Sequence, residues 1–221
     1  MASSIIPAVE PVLSLDLRCG GPCGVLGPIK LSLAPGETVA LTGPSGVGKT
    51  SLLRIAAGLD CTFAGHRQAT ARLAMVFQEP VLLPWRTAAE NLTIVARISE
   101  EEALHWLEDV GLDGLGDRFP GMLSVGQQRR LSLARAFASS PDLLLMDEPF
   151  VSLDPSLACE MMDLFERLIA ARTCATLLVT HARAEAERLA GRILRLEGRP
   201  ARIACEDQKA GAYLRLSAHP V

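Results

Sequence analysis

The stretch TVALTGPSGVGKTSLLRIAAG, residues 38–58, constrains this chain more than any other. TVALT is almost wholly apolar and reads as a buried strand, a glycine-rich turn follows, and SLLRIAAG spaces its apolar residues as a helix does. Within it, Gly43-Pro44-Ser45-Gly46-Val47-Gly48-Lys49-Thr50 fits GxxxxGK[ST] in the strand, turn and helix context that a phosphate-binding loop requires. Glycines let the backbone turn tightly, so that successive N–H groups point at phosphate oxygens, and the helix N-terminus adds partial positive charge. In this reading the backbone from Gly43 to Ser51 cradles the phosphates, Lys49 bridges the β- and γ-phosphates, and the Thr50 hydroxyl ligates Mg²⁺. A turn that merely ended a strand would not call for the Lys-Thr pair.

From residue 38 onward, short apolar runs alternate with helical patterns, as in crossover units of a largely parallel sheet. LAMVF (73–77), DLLLMD (142–147) and CATLLVT (174–180) read as further buried strands, with function expected at their C-terminal ends. Residues 79–140 hold no strong strand but include EEALHWLEDVGL and QQRRLSLARAFASS, so they read as a helical insertion. After Pro155, Leu157, Met161, Leu164 and Leu168 form an apolar stripe that faces the sheet. The closing residues, 198–221, are too few for a further domain and read as an edge of the sheet.

Composition excludes several classes. With 221 residues, 49% hydrophobic and 21% charged, the chain is ordinary globular material, sized for one domain with a subdomain. A net charge of −3 offers no basic excess for displacing counterions from a nucleic acid, so no nucleic-acid partner is expected. No run has the ~20 apolar residues of a membrane-spanning helix, and the first residues lack the pattern of a secretory leader. Cys19, Cys23, Cys61, Cys159, Cys174 and Cys205 are scattered and read as free thiols, several of them buried as small hydrophobes.

Two carboxylates end the run LLLMDE, at the tip of a strand whose leucines are explained by burial while the acids are not. Asp147 suits a Mg²⁺ shell, usually through water, and Glu148 suits orienting or deprotonating an attacking water. Ser124, with Gln127 three residues on, reads as the capping box of the helix carrying QQRRLSLARAFA. That box is explained equally by a local structural role and by a ligand at the helix N-terminus.

Taken together, these motifs resemble the ATP-binding subunits of ABC transporters. The resemblance spans nearly the whole chain: the P-loop, MVFQEPVLLPW (75–85), LSVGQ (123–127), LLLMDEP (143–149), Ser152-Leu153-Asp154-Pro155 and VTH (179–181) occur in the family's order. It implies an α/β P-loop ATPase fold with a mainly parallel core sheet, an abbreviated antiparallel β-subdomain and a helical subdomain. In that scheme 1–78 and 141–221 form the core and 79–140 the helical part bearing the signature motif. It further implies ATP and Mg²⁺ as ligands, Glu148, His181 and Lys49 as catalytic residues, and Thr50, Gln78 and Asp147 around the metal. Ser124, Gly126 and Gln127 would meet the γ-phosphate held by a second chain's P-loop, and Asp154 would reach across that dimer. The partners implied are a second copy or a related ATPase chain, a transmembrane permease and, indirectly, a solute-binding protein, with the chain peripheral to the cytoplasmic face of the inner membrane. QEPVLLPW followed by RTAAENL looks most like importer ATPases for nitrate, taurine and aliphatic sulfonates.

Three departures from the family pattern carry expectations. No residue between Met1 and Lys49 is aromatic, whereas the family pattern places an aromatic there to stack on adenine; alignment puts the missing position near Gly20. The loss is worth on the order of 1 kcal/mol, with weaker base selectivity. Val125 replaces a glycine of the signature, removing no backbone donor, and at a first helical turn its restricted φ is tolerated. Rival readings are an ATP-binding dimerising regulator without turnover and a DNA-associated ATPase, the latter lacking the expected coiled-coil or zinc insertion. His66, His105 and His219 sit in no motif.

Overall fold

A strand that is apolar at every position must be covered on both faces, and β6 (Leu143–Asp147) is. In the computed structural model, which describes residues 10–70 and 72–208, Leu143 and Leu145 pack into one core cluster and Leu144 and Met146 into the other. The same alternation holds in β7 (Ala175–Val179), where Leu177 and Leu178 face opposite ways. With β3 (Thr38–Thr42), β5 (Leu73–Val76), β8 (Arg192–Glu197) and β9 (Arg202–Gln208), they form a six-stranded sheet in the order β5-β6-β7-β3-β8-β9. All neighbours are parallel except β8 and β9. The expected edge is therefore present over 202–208; residues 209–221, with His219, lie outside the described residues.

One face of this sheet carries α1 (Lys49–Ala57) and a separate antiparallel sheet of order β2-β1-β4. These strands are β1 (Leu13–Gly20), β2 (Ile29–Leu33) and β4 (Phe63–Ala69). The other face packs α4 (Val125–Ala138) and α5 (Pro155–Ala170), with α2 (Ala88–Ala96) and α3 (Glu100–Asp109) beyond them. A short α6 (Arg183–Leu189) covers β3 through Ala186 and Ala190. In α5, Met161, Leu164 and Leu168 are buried as the stripe requires, and Leu157 is half-buried.

In β1 the alternation Leu13, Leu15, Leu17 points inward with period two until a register shift between Leu17 and Cys19 turns Cys19 outward and Gly20 inward. This corrects the expectation that several cysteines are buried. Only Cys174 is, its thiol pushed up to about 12 by burial; the other five are exposed.

The antiparallel sheet grips the P-loop helix through Arg67 of β4. Its Nε and Nη2 both donate to the Ala56 carbonyl, at 3.0 and 2.7 Å, just before the left-handed Gly58 that ends α1. Arg67→Ala is expected to cost about 1.5–3 kcal/mol, because a charge-assisted pair to a helix C-terminal carbonyl is lost. A drop of several degrees in thermal unfolding midpoint checks it; an unchanged midpoint would mean the contact contributes nothing.

Candidate functional site

β6, β7 and β3 are adjacent and parallel, so their C-terminal ends deliver Asp147-Glu148, Thr180-His181 and the loop 43–48 to one edge of the sheet. Ligands bind at that edge in open α/β sheets. The Glu148 N–H donates to the Val179 carbonyl at 2.9 Å, fastening two of these ends together.

Two of the loop's three glycines are crowded as well as conformationally special. Gly43 has φ 144°, and a Cβ there would lie 2.5 Å from the Leu196 carbonyl oxygen; at Gly48, φ 113°, it would lie 2.7 Å from Leu26. α2, α3 and α4 each open on a capping box, Thr87/Glu90, Ser99/Glu102 and Ser124/Gln127. α1 has no side-chain cap, so its first-turn N–H groups remain available to an anion.

Lys49 is only 5% exposed. Its Nζ donates to the carbonyls of Gly43 and Pro44 at 2.9 and 3.1 Å and lies 3.8 Å from Glu148 Oε1. The other Glu148 oxygen, Oε2, is 3.3 Å from His181 Nδ1. Glu148 thus links the loop lysine to the histidine, and it does so from a backbone at φ 46°, a conformation costly for a side chain of this size. Thr50 Oγ1 donates to Asp147 Oδ1 at 3.2 Å. Burial pushes the Asp147 carboxyl above its usual range, the Thr50 hydrogen bond opposes this, and Glu148 adds to it. An all-oxygen pair containing a desolvated acid, beside a phosphate loop, suits a hard divalent cation such as Mg²⁺.

Lys49, Thr50 and Glu148 border a cleft of about 220 Å³, with Val25, Ser45, Gly46, Gly48 and Ser51 completing its lining. Pro44 contributes its carbonyl, and Val47 turns its side chain into the core. Val25 was not legible from the sequence. Near the expected position, a Cβ on Gly20 would sit 2.9 Å from Ile55 and 3.0 Å from Phe63, and the residue just past that stretch that borders the cleft is Val25.

Gln78 follows β5, whose Val76 pairs with Met146 next to Asp147; its side chain is exposed. Ser124, Gly126 and Gln127 do not border the cleft. Ser124 Oγ accepts from the Gln127 N–H at 3.2 Å, and Gln127 Oε1 accepts from the Ser124 N–H at 2.9 Å, completing the expected box. Gly126 packs its backbone close to Leu157, where a Cβ would be at 3.1 Å. Asp154 caps α5, accepting from the Ser156 and Leu157 N–H groups at 3.1 Å. Within one chain, then, the P-loop, both acids and His181 assemble, while the signature residues and Asp154 stand apart.

The sequence pattern that defines ABC transporters matches residues 26–151, which takes in the P-loop, the signature and both acids. The chain belongs to the ABC transporter family. This ABC transporter chain is 45% identical over 200 residues to the aliphatic sulfonates import ATP-binding protein SsuB of Granulibacter bethesdensis, covering 89% of this chain and 83% of the relative. It is 42% identical over 201 residues to SsuB 1 of Pseudomonas aeruginosa strain UCBPP-PA14, covering 83% and 80%. Among solved structures, the dimeric post-hydrolysis state of the ATP-binding cassette MJ0796 bound to ADP and Pi superposes with TM-score 0.78 at 26% identity. It covers 90% of this chain and 99% of that one.

Proposed function

We propose that this chain binds and hydrolyses ATP to energise import of a small solute through a separate permease. The observation that carries the reading is the Lys49, Glu148, His181 linkage at the rim of the P-loop cleft. Phosphates would bind against the loop and α1 N–H groups, and Lys49 would trade its two loop carbonyls for phosphate oxygens. Glu148 would orient the attacking water and take its proton, with His181 beside it supporting the same water. Thr50, Asp147 and Gln78 would hold Mg²⁺, which when bound neutralises charge on the phosphates.

Because Ser124, Gly126 and Gln127 lie outside this chain's own cleft, a complete site calls for a second copy or a related chain. Ser124 of that second chain would present its helix N-terminus to the γ-phosphate, with Asp154 near the junction. The dimeric MJ0796 cassettes support this arrangement. In this reading residues 79–140 act as a helical subdomain of a single ATPase domain. Val81 and Trp85, 56% and 68% exposed on the loop after Gln78, offer the permease an apolar foothold. Sulfonate-type solutes are supported by the relatives' names and by the sequence around Gln78. Among the described residues no helix is long and apolar enough to cross a membrane, consistent with a peripheral subunit at the cytoplasmic face of the inner membrane.

The test is Mg²⁺-dependent ATP hydrolysis by the purified chain, alone and with its permease. No turnover in either setting would overturn the reading. Val125 sits at the first position of α4 with its side chain 61% exposed, so the helix accommodates it. Val125→Gly is expected to change kcat by no more than about threefold. A rise of orders of magnitude would make the valine a brake.

A further inference from the structure

Arg129 belongs to none of the motifs above, yet its guanidinium serves two loops of the site at once. From α4 its Nη1 donates to the carbonyl of Gln78 and, at 2.9 Å, to that of Pro149; its Nη2 is 3.4 Å from the Val151 carbonyl. Gln78 is on the loop after β5, and Pro149 and Val151 are on the loop that leaves Glu148 and runs to Asp154. The Nε atom is buried with no acceptor. Burying a guanidinium part-way opposes its charge, and here desolvation outweighs the help of Glu79. A side chain that served only solubility would stay in water.

The geometry assigns a more specific task. Pro149 adjoins Glu148, whose φ of 46° persists only if its surroundings impose it. A bond to the next carbonyl in the chain is such an imposition. All three acceptors are backbone atoms on diverging paths, which a rigid, planar fork of donors can serve together and a single ammonium cannot. Arg129 also lies on the helix that Ser124 caps, so any shift of that helix moves the guanidinium with it.

We infer that Arg129 is a positioning residue for hydrolysis, tying α4 to the loops of Gln78 and Glu148 so that the placement of the signature helix governs the placement of the Glu148 carboxylate. The inference rests on the ATPase reading. Steady-state ATP hydrolysis by the full chain tests it in wild type, Arg129→Met, Arg129→Lys and Arg130→Met. Arg130 is the control: it lies on the same helix but holds Glu160 at 2.8 Å and the Val110 carbonyl at 3.1 Å, away from the site.

Arg129→Met is expected to lower kcat by about tenfold or more while KM for ATP stays within about threefold, with Arg129→Lys recovering only part of the loss. Arg130→Met is expected to lower the unfolding midpoint and leave kcat per folded molecule unchanged. Should Arg129→Met not fold, the Lys variant supplies the kcat readout. Equal kcat in wild type and the Arg129 variants, or equal losses at Arg129 and Arg130, would overturn the inference while leaving the ATPase reading intact. A wild type without turnover would overturn both.

Discussion

Glu148→Gln is expected to lower kcat by about 100-fold to 10,000-fold while ATP still binds, and to let ATP-bound dimers persist. The amide keeps the shape of the carboxylate, so the backbone at φ 46° and the bond from the Glu148 N–H to Val179 should survive. It removes the negative charge that now stands 3.8 Å from Lys49 and 3.3 Å from His181. With nucleotide bound, that charge would also face the γ-phosphate. Its loss therefore weakens water activation and repulsion together, and turnover falls while affinity holds or rises. Single-turnover kinetics combined with size-exclusion chromatography in ATP separates the two effects. A Gln variant as fast as wild type would sink the assignment of Glu148 as the group that handles water.

What could be read in the sequence follows from where the information sits. β3, β5, β6 and β7 were legible because burial on both faces makes them continuous apolar runs. β4, FAGHRQA, has no such run: it is half-exposed at the edge of a small sheet and owes its strand to pairing with β1. The Ser124 box was legible because it is closed within three residues of chain. Val25 was not, because it reaches the cleft through the short turn after β1, and no motif in the sequence marks such a turn. Arg129 was hidden for a different reason. Its acceptors are backbone carbonyls, and a carbonyl leaves no trace in the identity of the residue that carries it.

Lys49→Ala is expected to weaken ATP binding by about 100-fold or more, since charge-assisted bonds to phosphate are worth about 1.5–3 kcal/mol each and at least one such bond is lost together with its charge. The geometry around Lys49 places the effect in binding rather than in folding. There Nζ is already satisfied by the Gly43 and Pro44 carbonyls, which also keep the side chain 5% exposed and aimed along the loop. Truncation leaves those two carbonyls beside an open cleft, where water can replace the ammonium, so the unfolding midpoint without ATP should move little. The phosphates have no such substitute: N–H groups remain, but the only buried cation in the described part of the cleft is gone. Isothermal titration with ATP, paired with a thermal scan of the nucleotide-free variant, reads both quantities. An affinity within threefold of wild type would mean the backbone N–H groups alone hold the nucleotide, and Lys49 would then be needed only to balance Glu148.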